Sequence, residues 1–391
     1  MYFEFIDNVR MYFGEGSVEK VGEYFSRIGS ERPLLISGPV INKVGLVDIV
    51  TKDLSKSGVK IKAIYIDVPK DSSVEVVEEL VDIYVNNNCD SLIALGGGSV
   101  IDTAKGVKLL LESEKSSLFD MQGIDNLKAG KGIPFAILPT TSGTGSEATK
   151  VAVISDTQNH VKHEFISERL LPDVTAIDPR LTLTLPVRAT VSTAFDMLTH
   201  AIEAFTSAQK NPISDAFALK AMELFKENFF IAVSDTGNKK ARQGMAEASL
   251  LAGIAFSNSM VGLAHAIGHS LGGAYGISHD VAMMILLPEV MRFNLDALDK
   301  EYATALYHIA GSDLYAETPP ERRGAMAIKF IADIIAEYSA NYGIALKLKD
   351  HGITSSDIEK IADGAMRDGA VLANKKRVRR DDVIAVLKAV M

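Results

Sequence analysis

The sequence predicts an α/β half built on a mostly parallel sheet, followed by an all-helical half. Three observations predict it: apolar runs alternate with helical patterns up to about residue 185, helical spacing takes over after Pro186, and two of the apolar runs end in glycine-rich loops. In order, LLIS at 34–37 reads as a strand, 46–57 as a helix, IKAIYIDV at 61–68 as a strand and SVEVVEELVDIYVNN at 73–87 as a helix. SLIAL at 91–95 and PFAIL at 134–138 continue the series. Strands interleaved with helices imply βαβ crossovers and therefore parallel pairing. Beyond Pro186, AIEAFTSA, DAFALKAMELFKENFF, IKFIADIIAEYSANYG and DDVIAVLKAVM keep helical spacing, with no strand run among them. The expected domains are residues 1–185 and 186–391, and at roughly 150 residues per domain the length of 391 agrees with two.

Apolar residues make up 47% and charged residues 23%, ordinary globular values that exclude a disordered or fibrous chain. With 41 basic against 50 acidic side chains the net charge is −9, which argues against a nucleic-acid partner. Cys89 is the single cysteine and cannot form an intrachain disulfide, and Glu4 and Asp7 stand where a secretory signal needs an apolar run. The expected compartment is the cytoplasm. Ala248 to His279 holds no Asp, Glu, Lys or Arg, yet its serines, histidines and glycines would be penalised in lipid, so a buried helical core is expected there and no membrane partner.

SLIALGGGSVIDTAKG sets Gly96, Gly97 and Gly98 between an apolar strand and a helix starting near Ser99. Glycines there let a backbone approach an anion closely, and the free N–H groups of the first helical turn supply positive potential, which suits a pyrophosphate. The spacing is not GxGxxG, and a ligand-free tight turn has the same composition. PTTSGTGSE at 139–147 follows the next strand with Thr140, Thr141, Ser142, Thr144 and Ser146, and lacks the GK[ST] ending of a P-loop. Two such loops at the carboxyl edge of one sheet mark a ligand site of a Rossmann-like domain.

Asp196 and His200 are four apart, as are His265 and His269, so each pair shares a helix face. His279 follows in GISHD. A lone buried histidine is ordinarily a hydrogen-bonded core residue, but three within an uncharged run, beside an Asp–His pair, point to a divalent metal such as Fe²⁺ or Zn²⁺. Spacing alone favours His265 with His269 as ligands and leaves His279 open.

GGGSVID, PTTSGTGSE, LLPDVTAIDPRLTLTLP, DMLTHAIEAF and GLAHAIGHSLGGAYGISHD, in this order and spacing, resemble the iron-containing (group III) alcohol dehydrogenase family almost end to end. The resemblance implies a dehydroquinate synthase-like architecture: a dinucleotide-binding domain, a helical metal domain, and a cleft where a small alcohol or aldehyde meets NAD or NADP. It implies Asp196, His200, His265 and His279 as ligands of Fe²⁺, with Zn²⁺ as the other metal, and His269 as a non-ligand in the cleft that relays a proton. It implies dinucleotide contacts at Gly97, Gly98, Ser99, Asp102, Thr140, Thr141, Thr144 and Lys162, and a homo-oligomer, a dimer. Where the family carries an Asp at the end of its first strand, LLISGP puts Gly38, so the charge that repels a 2′-phosphate is missing and NADP is the expected preference, with Lys43 nearby as a counter-charge.

Three stretches depart from the family pattern. HDVAMM replaces HGxANA after His279, so Asp280 stands for a glycine and Met283 and Met284 for Asn and Ala; Ala194 replaces a glycine; and ANKKRV replaces an NPR-type loop. The alternatives are a zinc glycerol dehydrogenase or a 3-dehydroquinate synthase-type enzyme on the same fold, and a non-catalytic nucleotide-binding protein that keeps a metal only as a staple.

Overall fold

The computed structural model describes residues 3–113, 117–121, 123–124, 132–156 and 161–391. The chain divides into two units: Asp7–Leu185, and Pro186–Met391 together with the residues up to Ile6. The sequence assigns those first residues to the α/β half; the structure gives them to the helical one. Phe5 stacks on Phe217 with ring centroids 5.8 Å apart, and the Ile6 backbone exchanges hydrogen bonds of 2.8 and 3.1 Å with the Asn258 amide.

The first unit runs β1 (Arg10–Phe13), α1 (Ser17–Ile28), β2 (Pro33–Ser37), α2 (Pro39–Lys43), α3 (Leu46–Ser55), β3 (Ala63–Tyr65), α4 (Val74–Asn86), β4 (Ser91–Gly96), α5 (Gly98–Glu112), β5 (Gly123–Ile124), β6 (Phe135–Pro139), β7 (Val151–Asp156), β8 (Val161–Ile166) and β9 (Val174–Ile177). Six strands form one sheet in the order β1, β9, β6, β4, β2, β3, all parallel. β2, β4 and β6 are wholly buried because both faces are covered. Leu34, Ile36, Leu92, Ala94, Phe135 and Ile137 pack with α4 and α5, while Leu35, Ile93, Leu95, Ala136 and Leu138 pack with α1 and α3. β7 and β8 form an antiparallel hairpin in a second, three-stranded sheet. The strand expected at 61–68 is narrower, and β1, the hairpin and β9 are additions to the expected series.

The connection order reverses between β2, which leads to β3 on one side, and β4, which leads to β6 on the other. Ser37 pairs with Leu95 and Gly96 with Pro139, so the loops after all three strands leave the sheet at one level. This is the switch-point edge where open α/β sheets bind ligands.

The second unit holds α6 (Val187–Thr206), α7 (Pro212–Ser234), α8 (Lys239–Ser257), α9 (Leu263–Tyr275), α10 (His279–Ala310), α11 (Ser312–Glu317), α12 (Arg323–Tyr342), α13 (Ile358–Ala365) and α14 (Arg380–Ala389). α6 is buried on nearly every side from Thr190 to Thr206, which makes it the central helix of the bundle. α10 bends at Leu298, whose torsions leave the helical region (φ −129°, ψ 15°). The charge-free stretch supplies the second half of α8, all of α9 and the entry to α10. Among the described residues no helix is long and apolar enough to cross a membrane.

Candidate functional site

Asp196 and His200 lie one turn apart on α6, His265 sits in the first turn of α9, and His279 opens α10. One ligand-type atom from each lies within 4.8 Å of the others. Asp196 Oδ1 is 3.8 Å from His200 Nδ1 and 3.4 Å from His279 Nε2. Asp196 Oδ1 and His265 Nε2 are buried with no hydrogen-bond partner. Leaving such atoms unsatisfied costs about 1–3 kcal/mol each, so orphans converging on one point fit a bound cation. Burial pushes the Asp196 carboxyl well above the ordinary carboxylate range, and the neighbouring Asp280 charge adds to it. One carboxylate oxygen with imidazole nitrogens is a donor set for Fe²⁺ or Zn²⁺.

Glu203, unremarked in the sequence, supports this cluster. It continues the α6 face at 196, 200, 203, and its Oε2 lies 2.6 Å from His265 Nδ1. Its two oxygens also accept the backbone N–H groups of Gly262 and Ala264, both at 2.7 Å. A carboxylate on Nδ1 keeps the proton there and leaves the lone pair on Nε2, the atom that points into the cluster. His200 is oriented by stacking on Phe256, with centroids 4.4 Å apart and planes 16° apart.

His269, one turn beyond His265 on α9, is outside the four-donor group, so the ligand pair favoured by spacing is divided. Its Nδ1 is 2.8 Å from Asp368 Oδ2, and Asp368 Oδ1 accepts the Ala370 N–H at 2.8 Å. Burial raises the Asp368 carboxyl, but the His269 hydrogen bond and charge outweigh it and hold the group below its ordinary value. The His269 ring lies almost parallel to that of His279, 5.4 Å away. Asp280 accepts a hydrogen bond from Ser192, one turn before Asp196. Met283, Met284 and Ala194 are core residues, and Met283 lies in the notch left by Gly268, where a β-carbon would be 2.3 Å from its methyl.

In the α/β unit, α5 has no side-chain cap, which leaves its first-turn N–H groups at the sheet edge. Thr141 and Thr144 pack on the glycine turn: a β-carbon on Gly97 would lie 3.0 Å from Thr141 Cγ2, and one on Gly98 2.8 Å from Thr144 Cγ2. The Thr140 hydroxyl is buried without a hydrogen-bond partner. This edge fits a phosphate group through free N–H donors and an orphaned hydroxyl. Ser99 donates to the Lys70 carbonyl. Lys162, on β8, pairs with Asp71 at 3.0 Å. Asp102 points to the neighbouring loop, its two oxygens accepting Ser146 Oγ at 2.8 Å and the Val153 N–H at 3.0 Å. Gly38 leads into α2, and a β-carbon there meets only ordinary contacts, 3.5 Å from the Val68 carbonyl and 3.7 Å from Val100 Cγ2. Lys43 is exposed at the end of α2.

The chain matches the family model for iron-containing alcohol dehydrogenase over residues 8–179, and the model for the C-terminal part of the Fe-containing alcohol dehydrogenase family over 190–391. It is 34% identical over 375 residues, 96% of both chains, to the NAD-dependent methanol dehydrogenase of Bacillus methanolicus. It is 33% identical to the 1,3-propanediol dehydrogenase of Citrobacter freundii, covering 99% of this chain and 98% of that one. Among solved structures, a 1,3-propanediol oxidoreductase superposes with a TM-score of 0.93 at 31% identity, and an alcohol dehydrogenase from Oenococcus oeni with 0.92 at 30%, each over 100% of both chains. With a four-donor cluster in one unit and an anion-ready sheet edge in the other, the chain belongs to the iron-containing alcohol dehydrogenase family, metal-dependent oxidoreductases of alcohols and aldehydes that use a nicotinamide dinucleotide.

Proposed function

We propose that this enzyme interconverts small primary alcohols or diols and their aldehydes, with Fe²⁺ at Asp196, His200, His265 and His279. Zn²⁺ is the other cation those donors suit. The orphaned, buried Asp196 Oδ1 and His265 Nε2 carry the reading. When bound, a divalent cation supplies Lewis-acid polarisation of a substrate oxygen, and the nicotinamide ring exchanges hydride with the substrate carbon. The protein's own residues do the rest. Glu203 keeps His265 in the ligand tautomer, and the buried helices around the cluster limit water. His269, its Nδ1 proton shared with Asp368, presents Nε2 as a relay for the hydroxyl proton. His269→Ala is expected to lower turnover in a pH-dependent way, and an unchanged profile from about pH 6 to about pH 9 would remove the relay. Metal analysis of anaerobically purified protein, alongside activity over an alcohol and aldehyde panel, tests the whole reading; metal-free protein with full activity would sink it.

On the dinucleotide side, α5 and the 140–146 loop would hold the pyrophosphate, with Lys162 beside them. Gly38 stands at the ribose and leaves NADP accepted and preferred over NAD. Space for a carboxylate at Gly38 supports its use as the test position. Gly38→Asp should move the kcat/KM ratio toward NAD, whereas a parent enzyme with higher kcat/KM for NAD than for NADP contradicts the preference. Among the described residues β1 pairs with β9 alone and its outer edge is open, which supports self-association as a dimer, checked by light scattering. One buried cysteine suits a reducing cytoplasm, checked by cell fractionation.

A further inference from the structure

Two helices deliver imidazoles to the four-donor cluster from their N-termini: His265 lies in the first turn of α9, and His279 is the first residue of α10. A helix N-terminus carries a partial positive charge of about half an elementary unit, so both ends oppose a cation at this point. Before α9 stands Gly262, which has no side chain to cap with, and Ser278 before α10 makes no capping bond. At α9 the Glu203 carboxylate makes up for this, accepting the N–H groups of Gly262 and Ala264, both at 2.7 Å, as well as meeting His265 Nδ1. At α10 the corresponding anion is Asp280, the acidic side chain of the first turn.

Asp280 is held in place from α6. Ser192 donates to Asp280 Oδ2, and Ser192, Asp196, His200 and Glu203 recur on one face of that helix. Two of the proposed donors therefore lie between the anion of α9 and the anchor for the anion of α10. Asp280 itself is outside the four-donor group. Burial raises the Asp196 carboxyl and the Asp280 charge raises it further; this is repulsion between two neighbouring carboxylates, and a divalent cation is attracted to both. The stretch that carries Asp280, HDVAMM, is one where this chain departs from the family pattern, and the glycine of that pattern supplies no charge.

We propose that Asp280 is a charge-balancing residue for the metal: anchored by Ser192, it offsets the α10 N-terminus and sets a second negative charge beside Asp196, so that this chain holds a divalent cation more tightly than it would with glycine at 280. Asp280 does not touch the cation and acts through its charge. This rests on the reading of Asp196, His200, His265 and His279 as the ligands. Groups just outside the ligands typically change metal affinity by about 10–100-fold, and a charge partly open to solvent, as Asp280 is, belongs at the lower end of that range.

The test is Asp280→Asn in the full-length enzyme, which keeps the size of the side chain and an acceptor for Ser192 and removes the charge. Affinities for Fe²⁺, Co²⁺ and Zn²⁺ are read by anaerobic chelator competition, with the visible absorption of the Co²⁺ form and the Tm of the metal-free protein measured in parallel. The dissociation constants of all three cations should rise about tenfold or more, because the lost attraction depends on their common charge. The Co²⁺ absorption should keep its position, because no donor has changed. A shifted Co²⁺ spectrum would make Asp280 itself a ligand and overturn the role given to it here. An aspartate that served only the end of α10 would lower Tm and leave metal binding within about twofold of the parent, and that result overturns the assignment too. Asp280→Gly decides if Asp280→Asn does not fold: it also removes the charge and should weaken all three cations about tenfold or more, with unchanged affinity overturning the proposal. A parent enzyme that binds none of these cations refutes the four-donor reading itself, and this assignment with it.

Discussion

Glu203 gives one carboxylate three partners: His265 Nδ1 and the backbone N–H groups of Gly262 and Ala264. The histidine is thereby oriented by the same group that holds the entry of its own helix. In Glu203→Gln the amide oxygen keeps the most hydrogen bonds by facing Nδ1 and the Gly262 N–H, which sets the N–H₂ against the Ala264 N–H, and a neutral acceptor holds the Nδ1 proton and the ring less firmly than a carboxylate does. Loss of an outer partner of this kind typically costs 10–100-fold in metal affinity. Glu203→Gln is therefore expected to weaken metal binding by about that factor in a chelator competition, and to lower the Tm of the metal-free protein as well because one buried N–H loses its acceptor; equal metal affinity in parent and variant would show that the ring is oriented by other groups. Glu203 was legible in DMLTHAIEAF, because 196, 200 and 203 recur on one helical face, but a ligand search that stops at the i, i+4 pair ends before it. Asp368 had no such signal. It meets His269 from 99 residues away in sequence, a contact made by tertiary packing alone.

α9 and α10 carry His265 and His279, so their mutual packing sets the distance between two of the four donors. Gly268 provides the close approach. Met283 occupies the space over it and is completely buried, so an added methyl must displace a side chain with little room to move. Gly268→Ala should cost about 1–3 kcal/mol by overpacking, despite alanine's better helix propensity, and Met283→Ala should relieve part of that cost when the two are combined. Denaturant unfolding of the four proteins of this double-mutant cycle measures the coupling; strict additivity would mean that the two residues do not compete for that space. Elements buried on both faces, such as β2, β4 and β6, were legible as unbroken apolar runs. β8, VKHEFI, was not, because a partly exposed hairpin strand tolerates Lys, His and Glu between its apolar residues. The start of the chain reads as belonging to the sheet that follows it, and its place in the helical unit is revealed by tertiary contacts, the Phe5–Phe217 stack and the Ile6–Asn258 hydrogen bonds.

At the scale of the molecule, the four residues proposed to hold the metal all lie in the helical unit and the glycine and threonine loops proposed for the dinucleotide all lie in the α/β unit. Each unit has its own core, the sheet packed between helix layers in one and the bundle around α6 in the other. Damage to one binding function should therefore leave the other intact. His265→Ala removes a donor from the cluster but touches no part of the β4–α5 turn, so it should lose bound metal and activity while dinucleotide affinity stays within about twofold of the parent. Gly98→Val should do the reverse. The clash responsible is with the protein itself, since a β-carbon at Gly98 would lie 2.8 Å from Thr144 Cγ2, and the loop must move before any phosphate is crowded. Its effect is expected as a rise of about tenfold or more in the dinucleotide dissociation constant, with metal content unchanged. Metal analysis and reduced-dinucleotide fluorescence on both variants read the two functions separately. Loss of metal in Gly98→Val, or of dinucleotide binding in His265→Ala, would show that the two units do not hold their ligands independently.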